Sequence, residues 1–111
     1  MANANAPLTL KDMQVLIERM YGSKDEARGT SGTFMWLMEE IGELAAELRE
    51  QKPGEPPSEA LALEFADVLA WLVTIANVAG VDLDAACRKK YERGGPGCGE
   101  LVCVCDDAEK P

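Results

Sequence analysis

At 111 residues the chain is long enough for one domain, and a domain of this size buries only about two-thirds of the surface its unfolded chain exposes, so oligomerisation would help its core. The composition is globular, 47% hydrophobic and 28% charged, with few aromatics. A net charge of −9 and a pI near 4.4 argue against a nucleic-acid polymer or an anionic membrane as partner, although a bound cation can still mediate contact with a single nucleotide.

Histidine is absent from the sequence. That removes histidine general bases, Ser-His-Asp triads, His-ligated zinc and Glu-x-x-His di-iron bundles, leaving carboxylates, a metal, lysines or cysteines for any chemistry. The start, MANANAPLTL, has neither a basic region nor an apolar h-region, so no signal peptide is expected. The apolar run near positions 60 to 81 is interrupted by Glu64 and Asp67, and what remains after Asp67 is too short to span a bilayer. The expectation is a cytoplasmic protein whose four cysteines are thiols or metal ligands rather than disulfides.

Four helical segments follow in chain order. The first spans about Leu10 to Tyr21, capped by Thr9 and stopped by Gly22, with Leu10, Met13, Leu16, Ile17 and Met20 as its apolar stripe. The polar, glycine-rich stretch GSKDEARGTSG reads as a loop, in which Lys24 and Arg28 can fold over an anionic group. A second helix runs from near Ser31 to about Gln51 and ends before KPGEPP. A third runs from about Ser58 to Ala79 and closes at Gly80; a fourth, capped by Asp82, continues to about Arg93 and stops at GGPGCG. The remainder, ELVCVCDDAEKP, shows a weak alternation and then a charged tail, so residues 1–93 form a helical domain and 94–111 a Gly/Cys-containing extension.

At ~100° per residue, Phe34, Leu37, Ile41, Leu44 and Leu48 share one stripe of the second helix. Trp36, Glu40, Glu43 and Glu47 form a second stripe beside it, at the edge of the buried face, with Glu39 farther round. In the third helix the only ionisable residues between Leu61 and Val81 are Glu64 and Asp67, three apart on one face of an otherwise apolar, central helix. A solvated acidic face explains a lone EExxE, and lysines or arginines from another helix can answer a buried pair. Two such sets together favour one or two hard cations, Mg²⁺ with Mn²⁺ as a substitute, because oxygen-only ligands select them and unpaired buried carboxylates are costly.

Glu39, Glu40 and Glu43 in E-E-I-G-E, followed by Glu64 and Asp67 in E-F-A-D, resemble the EExxE…ExxD signature of the MazG-like, all-α nucleoside triphosphate pyrophosphohydrolases. The continuation DVLAWLVTIANVAGVDLDAA, including Asn77, is also similar to that family, and the resemblance covers roughly positions 10 to 93. It implies an all-α, four-helix MazG-like bundle completed by oligomerisation into a homodimer or homotetramer. It implies cleavage between the α and β phosphates to give a monophosphate and pyrophosphate, a part in nucleotide-pool house-cleaning, and Mg²⁺ held by Glu40, Glu43, Glu64 and Asp67. Glu39 would then be a further ligand or the catalytic residue that orients water.

The remaining candidates are less determined. Trp36 is the better placed tryptophan to stack on a base, and Trp71 the better core residue. Asn77 either caps a neighbouring element or holds the sugar or base edge. Lys90 and Arg93, at the end of the fourth helix, either complement its C-terminus or contact phosphates. Cys98, Cys103 and Cys105 make C-x4-C-x-C without the C-x2-C of a zinc knuckle, so structural zinc is not expected there. Two competing classes remain: a non-enzymatic helical oligomerisation module with an acidic cation site, and a cysteine-based zinc or redox module.

Overall fold

The computed structural model describes residues 5–107, which form three helices: α1 (Leu10–Glu50), α2 (Glu59–Ala79) and α3 (Leu83–Tyr91). No strand occurs among the described residues, so the LVCVC alternation forms none. α1 opens on a capping box in which the Thr9 hydroxyl accepts from Asp12 N at 3.0 Å and the Asp12 carboxylate accepts from Thr9 N at 3.1 Å. Ser58 caps α2 and Asp82 caps α3 by single bonds, accepting from Leu61 N and Ala85 N respectively. α2 ends at Gly80 in the left-handed conformation, where Val81 N reaches back to Ala76 O at 2.8 Å.

The expected loop after Gly22 is helical instead. α1 continues through Gly22 to Arg28, bends at Gly29 (φ 77°, ψ 178°), and resumes, so it has two arms, residues 10–28 and 30–50. A glycine inside a helix costs only ~1 kcal/mol relative to alanine. Contacts of the intervening polar residues outweigh that: Asp25 is buried, Arg28 pairs with it at 3.0 Å, and the Arg28 guanidinium lies 5.0 Å over the Trp71 ring. At the bend the fully buried Thr33 hydroxyl donates to the Gly29 carbonyl at 2.7 Å.

α2 packs against α1. Gln14 meets Asn77, Trp36 stacks on Trp71 and Glu40 meets Glu64, an order that makes the two helices antiparallel. Gln14 joins all three helices: its amide donates to Asn77 Oδ1 and Val81 O, and it accepts from Leu83 N, each at 2.9 Å. The core is small, with Ile17, Leu37, Leu61, Val73 and Ala76 as its buried apolar side chains. α2 begins well before Glu64, and over its full 21 residues it is long and apolar enough to cross a membrane by length and composition, contrary to the sequence expectation. Much of its apolar surface is exposed, at Leu63, Phe65, Leu69 and Leu72.

Two of the glycines inside α1, Gly22 and Gly29, should behave oppositely. Gly29→Ala forces a side chain into a backbone region open essentially to glycine and should lower stability by ~1–3 kcal/mol. At Gly22 a new methyl group meets only the movable end of Glu18, so Gly22→Ala should be neutral or stabilising by up to ~1 kcal/mol. Urea unfolding of both variants checks the pair; equal effects would place the bend elsewhere.

Candidate active site

The second arm of α1 and the facing stretch of α2 bring the acidic residues together. Glu40 and Glu43, one turn apart, meet Glu64, and one carboxylate oxygen from each lies within 4.8 Å of the others. Glu40 and Glu64 are half-buried, and each keeps one oxygen, Oε2, sealed from solvent with no hydrogen-bond partner. Among the described residues none of these three, nor Asp67, forms an ion pair with a lysine or arginine.

The electrostatics follow from that geometry. Burial first, and then the charges of Glu43, Asp67 and Glu64, push the Glu40 carboxyl above its ordinary value. Burial again leads at Glu64, followed by the charges of Glu43, Asp67 and Glu47. Asp67 is more exposed and adds its charge from one turn along α2. Glu47 belongs to this acidic field too; its place four residues after Glu43 on the same stripe was the signal for it. Four carboxylates with two orphaned oxygens and no cationic side chain among them fit a divalent cation with oxygen ligands.

Asp67 also lines a cavity of about 390 Å³, together with Ile17, Tyr21, Lys24, Asp25, Arg28, Ala70, Trp71 and Thr74. Asp25 is 3% exposed; its Oδ1 accepts from Arg28, while Oδ2 is buried without a partner. Of the cavity residues, Lys24 and Arg28 stood out in the sequence as a possible phosphate cover. Asp25 was missed, because only the continuation of α1 turns it inward.

The other sequence candidates fall in different places. Trp36 stacks on Trp71 with ring centroids 6.0 Å apart and planes at 18°, but it does not line the cavity, whereas Trp71 does. Glu39 is exposed, outside the three-carboxylate group. Asn77 is tied to Gln14 in both directions, its Nδ2 donating to Gln14 O at 3.1 Å, so its amide is satisfied within the fold. Lys90 sits over the Tyr91 ring and Arg93 lies beside Arg88, Lys89 and Glu92; the chain brings neither to the cavity beside Asp67.

A helical protein whose unpaired carboxylate cluster lies one turn along α2 from Asp67, on the wall of a cavity that carries lysine and arginine, can hold a cation and an anionic ligand side by side. Such sites serve phosphoanhydride hydrolysis. Residues 28–98 match the family model of the MazG nucleotide pyrophosphohydrolase domain. Over 84 residues the chain is 36% identical to the dATP/dGTP diphosphohydrolase of cyanophage S-2L, an alignment covering 76% of this chain and 71% of that protein. The chain belongs to the MazG nucleotide pyrophosphohydrolase family, and it is a nucleotide pyrophosphohydrolase. The non-enzymatic module is thereby set aside.

Because Glu40 and Glu64 hold protons more tightly in the fold than in the unfolded chain, the cation-free protein should lose stability as pH rises through and beyond the ordinary carboxylate range. Thermal unfolding in a chelator between about pH 4 and pH 8 should show a falling Tm, and Glu64→Gln should flatten it. A divalent cation should restore Tm at the upper end and do little at the lower. A Tm that climbs with pH in the chelator would contradict the repulsion.

Proposed function

We propose that the enzyme hydrolyses nucleoside or deoxynucleoside triphosphates between the α and β phosphates with Mg²⁺ as its cation, in house-cleaning of the nucleotide pool. The convergence of Glu40, Glu43 and Glu64, with a buried, partnerless oxygen on Glu40 and on Glu64, carries this reading. Glu40, Glu43, Glu64 and Asp67 hold the ion, with Mn²⁺ as a substitute. When bound, the ion neutralises charge on the phosphates and makes a nearby water acidic enough to attack without a histidine.

The chain's own groups do the rest. Lys24 and Arg28, on the wall of the cavity shared with Asp67, meet the phosphate oxygens. The base enters that cavity beside Trp71 and Tyr21, which moves the proposed stacking partner from Trp36 to Trp71; Trp36 then backs the Trp71 ring. Asp25, whose Oδ2 lies just behind this wall without a donor, suits an exocyclic amino group, which adenine, guanine and cytosine carry and uracil and thymine lack. The dATP/dGTP specificity in the relative's name accords with such a base. Glu39, outside the ligand group but adjacent to Glu40, orients the attacking water and accepts its proton.

Pyrophosphate release from a panel of triphosphates, with and without Mg²⁺, tests the reaction. Purine nucleotides should turn over only with the ion, and Glu64→Gln or Asp67→Asn should remove that turnover while the helices persist. Loss of stacking at Trp71→Ala should raise KM roughly tenfold with kcat less affected, because base stacking contributes ~1–3 kcal/mol. Glu39→Gln should lower kcat while the ion still binds. Near-normal turnover of Glu64→Gln would refute the site.

The working unit is a homodimer or homotetramer. Leu63, Phe65, Leu69 and Leu72 on α2, with Phe34, Met38 and Ile41 on α1, expose more apolar surface than a soluble monomer ordinarily carries. Glu64 and Asp67 lie on the same apolar helix, and lipid would leave their charges costly, so this surface fits further copies of the chain better than a bilayer. Light scattering at micromolar concentration should return a dimer or tetramer; a clean monomer would refute the assembly.

A further inference from the structure

The segment after α3 folds back on itself although it forms neither helix nor strand among the described residues. Gly95 N donates to Glu100 O at 2.9 Å and Gly99 N to Gly95 O at 2.7 Å. Gly94 (φ 129°) lies so close that a Cβ there would stand 2.6 Å from the Glu100 carbonyl. Apolar burial does not hold this loop closed, since Leu101, Val102 and Val104 are 86%, 79% and 74% exposed. What it gathers instead is sulfur: the Sγ atoms of Cys98, Cys103 and Cys105 all lie within 4.8 Å of one another. Backbone amides are aimed at them, those of Glu100 and Val104 at Cys98 and that of Cys105 at Cys103 Sγ, 3.3 Å away. N–H groups donating to sulfur favour the thiolate, the form that binds metal, at Cys98. Cys105, which donates to the other two sulfurs, is instead pushed up to about 11 and gives up its proton only when metal takes its place.

We propose that Cys98, Cys103 and Cys105 form a zinc site, separate from the carboxylate site, that holds the C-terminal loop closed. Zn–S bonds of ~2.3 Å in tetrahedral geometry put sulfurs ~3.8 Å apart, so the cluster needs to tighten by no more than about 1 Å. The thiols give up their protons on binding, and a solvent oxygen takes the fourth position. Cys87 is outside the group. The family match ends at residue 98, so two of the three ligands lie beyond it. The sequence spacing argued against zinc because it lacks a C-x2-C pair; the fold supplies the convergence through the turn at Gly99 and the closure at Gly94.

The test uses the full chain, purified under reducing conditions, loaded with Zn²⁺ and dialysed exhaustively against metal-free buffer. Elemental analysis should find about one zinc per chain, and Co²⁺ in its place should give thiolate-to-cobalt charge-transfer absorption. Cys98→Ser and Cys103→Ser should each lose the zinc and the absorption while far-ultraviolet circular dichroism keeps its helical signal. Cys87→Ser and Glu64→Gln should retain both. Absence of zinc in the parent chain would overturn the proposal, as would equal loss in Cys87→Ser or Glu64→Gln. Titration of two thiols rather than four after purification without reductant would identify a disulfide and overturn it as well.

Discussion

Mutual repulsion among Glu40, Glu43, Glu64 and Asp67 across the contact between α1 and α2 is the constraint on which the rest of the structure turns. Two helices packed for stability alone would put apolar side chains there, as they do around Val73 and Leu37. Instead the carboxyls of Glu40 and Glu64 are pushed upward by burial and by the carboxylates around them, and each keeps one oxygen sealed away without a partner. The arrangement is unfavourable in the bare protein, and the proposed cation, shared among the oxygens, would offset that repulsion, linking stability to binding through one group of atoms.

That cost has to be supported by packing elsewhere. Near the start of α1, the Gln14–Asn77 pair locks α1 to α2 and, through Leu83 N, to α3 with neutral hydrogen bonds. At the bend, Thr33 holds the Gly29 carbonyl, Arg28 lies over Trp71, and Trp71 stacks on Trp36, so a continuous column joins both arms of α1 to α2. The column stands one turn from Asp67 and Glu40 and forms a wall of the cavity the substrate is proposed to enter. Scaffold and binding pocket are thus built partly from the same side chains, and a small core can carry an internally repelling site because the fixed points lie on either side of it.

The sequence by itself determined the all-helical class, the caps at Thr9 and Asp82, the helix start near Ser58, the stop at Gly80, and the carboxylates that face one another. These are local signals: side-chain caps act within three residues, and glutamates at i and i+3 share a helix face whatever surrounds them. Tertiary structure alone decided the rest. Gly22 reads as a stop, yet the helix runs on to Gly29, because burial of Asp25 and the reach of Arg28 to Trp71 outweigh one glycine's propensity. Asn77 became a structural tie, Asp25 and Trp71 became cavity walls, and three cysteines whose spacing matched no metal motif were drawn to one point. Each outcome depends on contacts between residues far apart in the chain, or on a loop closed by backbone conformation, and sequence periodicity carries neither.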